Sequence, residues 1–193
     1  DDFYSGSVAA LYGGVTSYVD FLEPTDSVKA LERSYHERLE LAKKSVIDYH
    51  FHACIKNPKG DLEAYVIKMK ELGMNTLKLF TTYSDSDRRT YDKEIIQLLK
   101  LSKQYHFLIM AHIENDDLIQ LDDSFTYKDL TISRPALSEL TEALKLAEYT
   151  RQTQGYMYMV HLSSGKTLEA LIHNYPDILN KHFFVESCPQ YFT

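Results

Sequence analysis

Six short apolar runs separated by amphipathic stretches predict an α/β fold, with about six parallel strands alternating with helices as part of a TIM-like (β/α) barrel. Three observations carry this. The runs, at 15–22, 46–53, 76–80, 107–111, 156–161 and 183–186, are rich in β-branched and aromatic residues. Several are almost continuously apolar, as strands covered on both faces are. The strand-then-helix alternation calls for right-handed crossovers between parallel neighbours.

Each element has its own signature. The opening residues, Asp1-Asp2-Phe3-Tyr4, read as a chain that starts inside a helix, so a central barrel fragment is expected. Residues 26–43 place Val28, Leu31, Tyr35 and Leu39 on one helical face. Residues 61–73 do the same with Leu62, Tyr65, Val66, Met69 and Leu72, with Asp61 placed to cap the start and Gly73 the end. In 92–105 the face is Ile95, Leu98 and Leu99. In 135–153 it is Leu137, Leu140, Leu144 and Ala147, with Pro135 near the first helical position. The one long connection, 115–133, is polar and carries paired aspartates; it reads equally as cover for a site or as a solvated loop. No linker or composition shift divides 1–193, so a single domain is expected. Its 193 residues fall short of the roughly 250 of a complete barrel.

Composition excludes several classes. The chain is 44% hydrophobic and 25% charged, ordinary for a globular protein. A net charge of -7 without a clustered basic face argues against a nucleic-acid partner. No apolar run is long enough to cross a membrane, and no secretory leader is visible. Cys54 and Cys188 are far apart and lack metal-site spacing, so two buried free thiols and a cytoplasmic location are expected.

In α/β barrels chemistry gathers at the carboxyl ends of the strands. Lys78 sits inside the apolar run Leu77-Lys78-Leu79-Phe80, where a lysine is rarely buried without a partner. His112 follows Leu108-Ile109-Met110-Ala111, and His161 follows Tyr158-Met159-Val160. Imidazole nitrogens suit zinc and similar ions. A protonated lysine has no lone pair and becomes a ligand only when converted to an anion such as a carbamate. One strand-end histidine is more often packed or hydrogen-bonded than metal-bound; Lys, His and His at matching places on three successive strands reverse that balance. His50 and His52 share a strand face, yet packing or a supporting role suits them better. His36, His106, His173 and His182 read as surface or loop residues.

The chain resembles the cyclic amidohydrolases of the amidohydrolase superfamily, in their hydantoinase and dihydropyrimidinase branch. The resemblance runs almost end to end. It is carried by Asp1-Asp2-Phe3-Tyr4-Ser5-Gly6, Gly13-Gly14-Val15-Thr16, Val46-Ile47-Asp48-Tyr49 and Leu77-Lys78-Leu79-Phe80-Thr81-Thr82-Tyr83. It continues through Ala111-His112-Ile113-Glu114-Asn115, Ser133-Arg134-Pro135, Val160-His161-Leu162-Ser163-Ser164 and Glu186-Ser187-Cys188-Pro189-Gln190-Tyr191.

What the resemblance implies is a metal-dependent hydrolase that opens a cyclic amide. Lys78 is similar to the family's carboxylated lysine, bridging two divalent ions, with zinc the expected metal. His112 and His161 are similar to ligands of the second ion, and Tyr83 to the tyrosine that hydrogen-bonds a developing oxyanion. The family's first-strand His-x-His pair and last-strand aspartate have no counterpart here, so the chain by itself is expected to be inactive. Alternatives are a non-catalytic scaffold of the collapsin-response mediator type, which the retained Lys78, His112 and His161 oppose, and an allantoinase or dihydroorotase, which Tyr83 disfavours. Open sheet edges predict a homo-oligomer, which light scattering would report.

Overall fold

The computed structural model describes residues 2–192. In chain order the elements are α1 (Phe3–Tyr12), β1 (Ser17–Phe21), α2 (Val28–Ala42), β2 (Asp48–Cys54), α3 (Leu62–Glu71), β3 (Thr76–Phe80) and α4 (Asp92–Tyr105). They continue with β4 (Leu108–His112), α5 (Leu130–Ser133), α6 (Ala136–Thr153), β5 (Met157–Met159), α7 (Gly165–Asn174) and β6 (Phe183–Val185). The six strands form one parallel sheet in the order β1-β2-β3-β4-β5-β6. Sequential order with a helix in each crossover is barrel topology, and β1 and β6 end the sheet.

Period-two alternation sorts the two faces of the sheet. Leu77 and Leu79 of β3, Ile109 and Ala111 of β4, and Met157 of β5 are all 0% exposed. They meet the apolar sides of the helices, chiefly Leu62, Tyr65, Val66 and Met69 of α3 and Ile95, Leu98 and Leu99 of α4. The other face carries Thr76, Lys78 and Phe80 on β3 beside Met110 and His112 on β4, in the register Lys78↔Met110 and Phe80↔His112. That face is the inside of the barrel wall. On β1 it is open to solvent, with Val19 and Phe21 exposed.

Local chemistry explains most boundaries. The Asp61 side chain accepts from the Glu63 and Ala64 amides, and Gly73 follows α3 at φ 82°. Gly155 is required by contact: a Cβ there would stand 2.3 Å from the Leu99 carbonyl oxygen, so only glycine lets the turn before β5 lie against α4.

Three expectations need correction. The buried face of α6 is Ser138, Glu142, Ala143, Leu146, Ala147 and Thr150, while Leu137 is exposed. Small residues let α6 approach its neighbours, and the buried Glu142 is matched by Lys145 at 2.9 Å, itself 2.8 Å from Asp92. Helix α7 was not anticipated; its apolar side is short, centred on Leu168 and Leu171. Of the two free thiols only Cys54 is buried; Cys188 is intermediate. The 115–133 connection contains two 3-10 turns and α5, and leads into α6. Its ends are tied where the Gln120 amide donates to the Ser133 carbonyl at 2.9 Å.

Candidate functional site

At the carboxyl ends of β3, β4 and β5 the inner face of the sheet opens into a cleft of about 790 Å³, lined among others by Tyr83, His112, Glu114, Arg134, Glu139 and His161. Its size suits a small organic ligand. Lys78, one step down the wall on β3, is 7% exposed. Its Nζ lies 4.8 Å from the centroid of the Phe80 ring. Burial brings its pKa down from 10.5 to about 8, against the opposing field of Glu186.

His112 is the last residue of β4, and His161 lies two residues beyond β5. The register pairs Ala111 with Met159, and the left-handed backbone of His161 beyond the strand brings its ring to His112, with His112 Nδ1 3.0 Å from His161 Nε2. The rings meet edge to face, 4.7 Å between centroids. Burial first, then the neighbouring His112 and Lys78, hold the His161 pKa below its usual value, so its imidazole favours the neutral, lone-pair form a metal requires.

Tyr83 projects from the loop after β3 with its ring 5.1 Å from that of His112. Burial raises its phenol pKa, which keeps it a hydrogen-bond donor. Tyr83 and His161 both hold left-handed backbones, at φ 69° and 42°. Such conformations are costly for non-glycine residues and cluster where a site over-determines them.

Carboxylates fix these loops. Asp116 accepts from Thr82 Oγ1 at 2.8 Å, Ser84 Oγ at 2.5 Å and the Ser84 amide at 3.3 Å, and pairs with Arg89 at 3.1 Å. It thus grips the chain on both sides of Tyr83. Burial alone would raise the Asp116 pKa; the hydrogen bonds from Ser84 and Thr82 outweigh it and hold the carboxyl below its usual value. Glu139 of α6 accepts from the Ser163 and Ser164 amides at 2.9 and 3.0 Å, tying down the turn after His161. Glu114 reaches His112 Nε2 at 2.6 Å.

The sequence reading brought together Lys78, His112, His161 and Tyr83 but assigned no role to Glu114, Asp116, Arg134 or Glu139. For Glu114 a signal existed: His112-Ile113-Glu114 continues the strand's alternation, which sets both side chains to one side. His52 is placed away from the cleft, its Nδ1 2.5 Å from Thr76 Oγ1 and its ring against Phe21.

Among the described residues no three His, Cys, Asp or Glu side chains gather as a metal cage. The donors that do converge are two imidazole nitrogens 3.0 Å apart, a spacing and chemistry that fit two ligands of one ion, with a buried amine of lowered pKa nearby.

The fold is that of part of an α/β barrel, with a cleft at the carboxyl ends of its strands. Over 99% of its length the chain is similar to D-hydantoinases: that of Geobacillus stearothermophilus is 31% identical over 203 aligned positions, covering 42% of that protein. The D-hydantoinase of Bacillus sp. AR9 superposes with a TM-score of 0.85 at 26% identity, covering 100% of this chain and 43% of that one. The dihydropyrimidinase of Brevibacillus agri NCHU1002 superposes with a TM-score of 0.82 at 25% identity, covering 99% and 42%. No family model matches the chain. The chain spans about two fifths of the length of these relatives. Among the described residues no helix is long and apolar enough to cross a membrane.

Proposed function

We propose that this chain forms the metal-holding wall of a cyclic-amide hydrolase that opens hydantoin or dihydropyrimidine rings. The observation that carries the reading is the convergence of His112 Nδ1 and His161 Nε2 at 3.0 Å, beside buried Lys78. His112 and His161 would hold one divalent ion, and Lys78, as its carbamate, would bridge two, with zinc the metal that suits two imidazoles. When bound, such ions polarise a carbonyl and supply an activated water at neutral pH.

The chain's own residues do the rest. A pKa near 8 leaves roughly a tenth of Lys78 as free amine at pH 7, against less than about a thousandth at 10.5; only the free amine combines with carbon dioxide. Tyr83, neutral and held by the Asp116 clamp, would donate a hydrogen bond from its phenol to the carbonyl oxygen of the cyclic amide as negative charge grows there. Arg134 and the α5 segment wall the cleft. The remaining ligands would come from outside this chain. Self-association through the β1 and β6 edges, and a cytoplasmic setting for Cys54 and Cys188, complete the proposal.

The chain alone is expected to show no turnover. Spliced in place of the matching two fifths of a D-hydantoinase and loaded with zinc, manganese or cobalt, it is expected to open hydantoin and dihydrouracil at least tenfold faster than allantoin, read by chromatography of the ring-opened acids. A spliced barrel that folds, loads metal and opens none of these rings would sink the proposal.

A further inference from the structure

We propose that Glu114, itself held by Arg134, is the positioning residue that sets the tautomer of His112 and so presents its Nδ1 lone pair to the metal. The inference deepens the metal reading above and rests on it. Glu114 Oε2 lies 2.6 Å from His112 Nε2, and the Arg134 guanidinium reaches the same oxygen at 2.5 Å. Arginine is a permanent cation, and a carboxylate paired with it only accepts hydrogen bonds. The geometry therefore places a single hydrogen of the His112 ring on Nε2, donating to Glu114. That leaves Nδ1 as the acceptor facing His161 Nε2 at 3.0 Å, a lone pair that a metal ion would take over from the His161 N–H.

Every member of this chain of contacts is itself fixed. The Glu114 amide donates to Thr81 Oγ1 at 2.9 Å, and that hydroxyl is 2.8 Å from the Glu114 carbonyl. Thr81 is 1% exposed at the end of β3, so the Glu114 backbone is locked to the neighbouring strand end. The Arg134 amide donates to the Leu130 carbonyl at 2.8 Å, and its guanidinium lies 5.0 Å from the centroid of the Tyr83 ring. One cation thus braces both the carboxylate behind His112 and the ring of Tyr83. A metal-bound histidine usually donates its other N–H to a carboxylate, and loss of that partner typically costs 10–100-fold in metal affinity.

Two measurements test this. In long-range proton–nitrogen spectra of the metal-free chain, His112 is expected as the Nε2–H tautomer. Glu114→Gln, whose amide oxygen still accepts, is expected to keep it, and Glu114→Ala to shift the ring toward the Nδ1–H form. In zinc titrations followed by calorimetry, Glu114→Ala is expected to weaken binding between 10- and 100-fold, and Glu114→Gln by less than about fivefold. A wild-type His112 carrying its proton on Nδ1, or an alanine variant with unchanged tautomer and zinc affinity, overturns the proposal. Should the alanine variant fail to fold, the wild-type spectrum still decides. A wild-type chain that binds no zinc overturns the metal reading instead, while the metal-free tautomer continues to report on Glu114 by itself.

Discussion

Lys78→Met is expected to stabilise the metal-free chain by about 2 kcal/mol at pH 7. The Lys78 side chain is buried on the barrel wall, against the Phe80 ring, and burial lowers its pKa to about 8. In the unfolded chain the amine keeps its proton up to about pH 10.4. The folded state therefore binds fewer protons between these values. The destabilisation is full below pH 8 and fades as pH rises toward 10.5. A shift of this size corresponds to about 3 kcal/mol at most, part of it relieved by local relaxation.

Methionine has a similar reach, no charge and the flexibility to fill the same space. Urea unfolding with chelator present is expected to show the gain at pH 7 and almost none at pH 10. A variant less stable than the parent at pH 7 would mean that Lys78 is already matched by a negative partner. Stability gained by deleting a residue is a mark of one retained for another purpose; in the proposed function that purpose is reaction with carbon dioxide and bridging of metal.

Replacing His112 or His161 with Ala is expected to weaken zinc or cobalt binding by at least about 100-fold, or about 2.7 kcal/mol. The His112 and His161 nitrogens face each other at 3.0 Å in the cleft, and the nearest carboxylate, Glu114, is engaged by His112 Nε2 and Arg134. Losing either leaves one nitrogen and a lysine that binds only as its carbamate. His173→Ala, on the exposed side of α7, is expected to bind metal like the parent. Calorimetry checks all three, and circular dichroism checks that the fold persists. Equal affinity in the parent and in both strand-end variants would place any metal elsewhere.

The fold and the strand-end residues could be read from the sequence because both depend on short-range pattern. Leu77 and Leu79 flank Lys78 in one run, so a charged residue between two core residues stands out without a structure. His112 and His161 each close an apolar run, and strand ends are where barrel chemistry lies. The supporting residues are different. Asp116 holds Thr82 across 34 positions, Arg134 reaches Glu114 across 20, and Glu139 holds Ser163 across 24. Nothing local marks those pairs, because each is made by the packing of α5, α6 and the β3 loop around the cleft. The face of α6 is shifted for a related reason: Ala147 is buried as expected, but close packing also selects Ser138, Ala143 and Thr150 over the larger Leu137, and periodicity of large apolar residues misses small ones.

An anomalous difference map at the zinc edge, from crystals of the chain grown with zinc, tests the metal-holding wall most directly. The predicted peak lies between β4 and β5, bonded to His112 Nδ1 and His161 Nε2 at about 2.0–2.1 Å, with Glu114 still on Nε2 of His112. A peak on other side chains, or zinc bound through His112 Nε2 with Glu114 displaced, would contradict it.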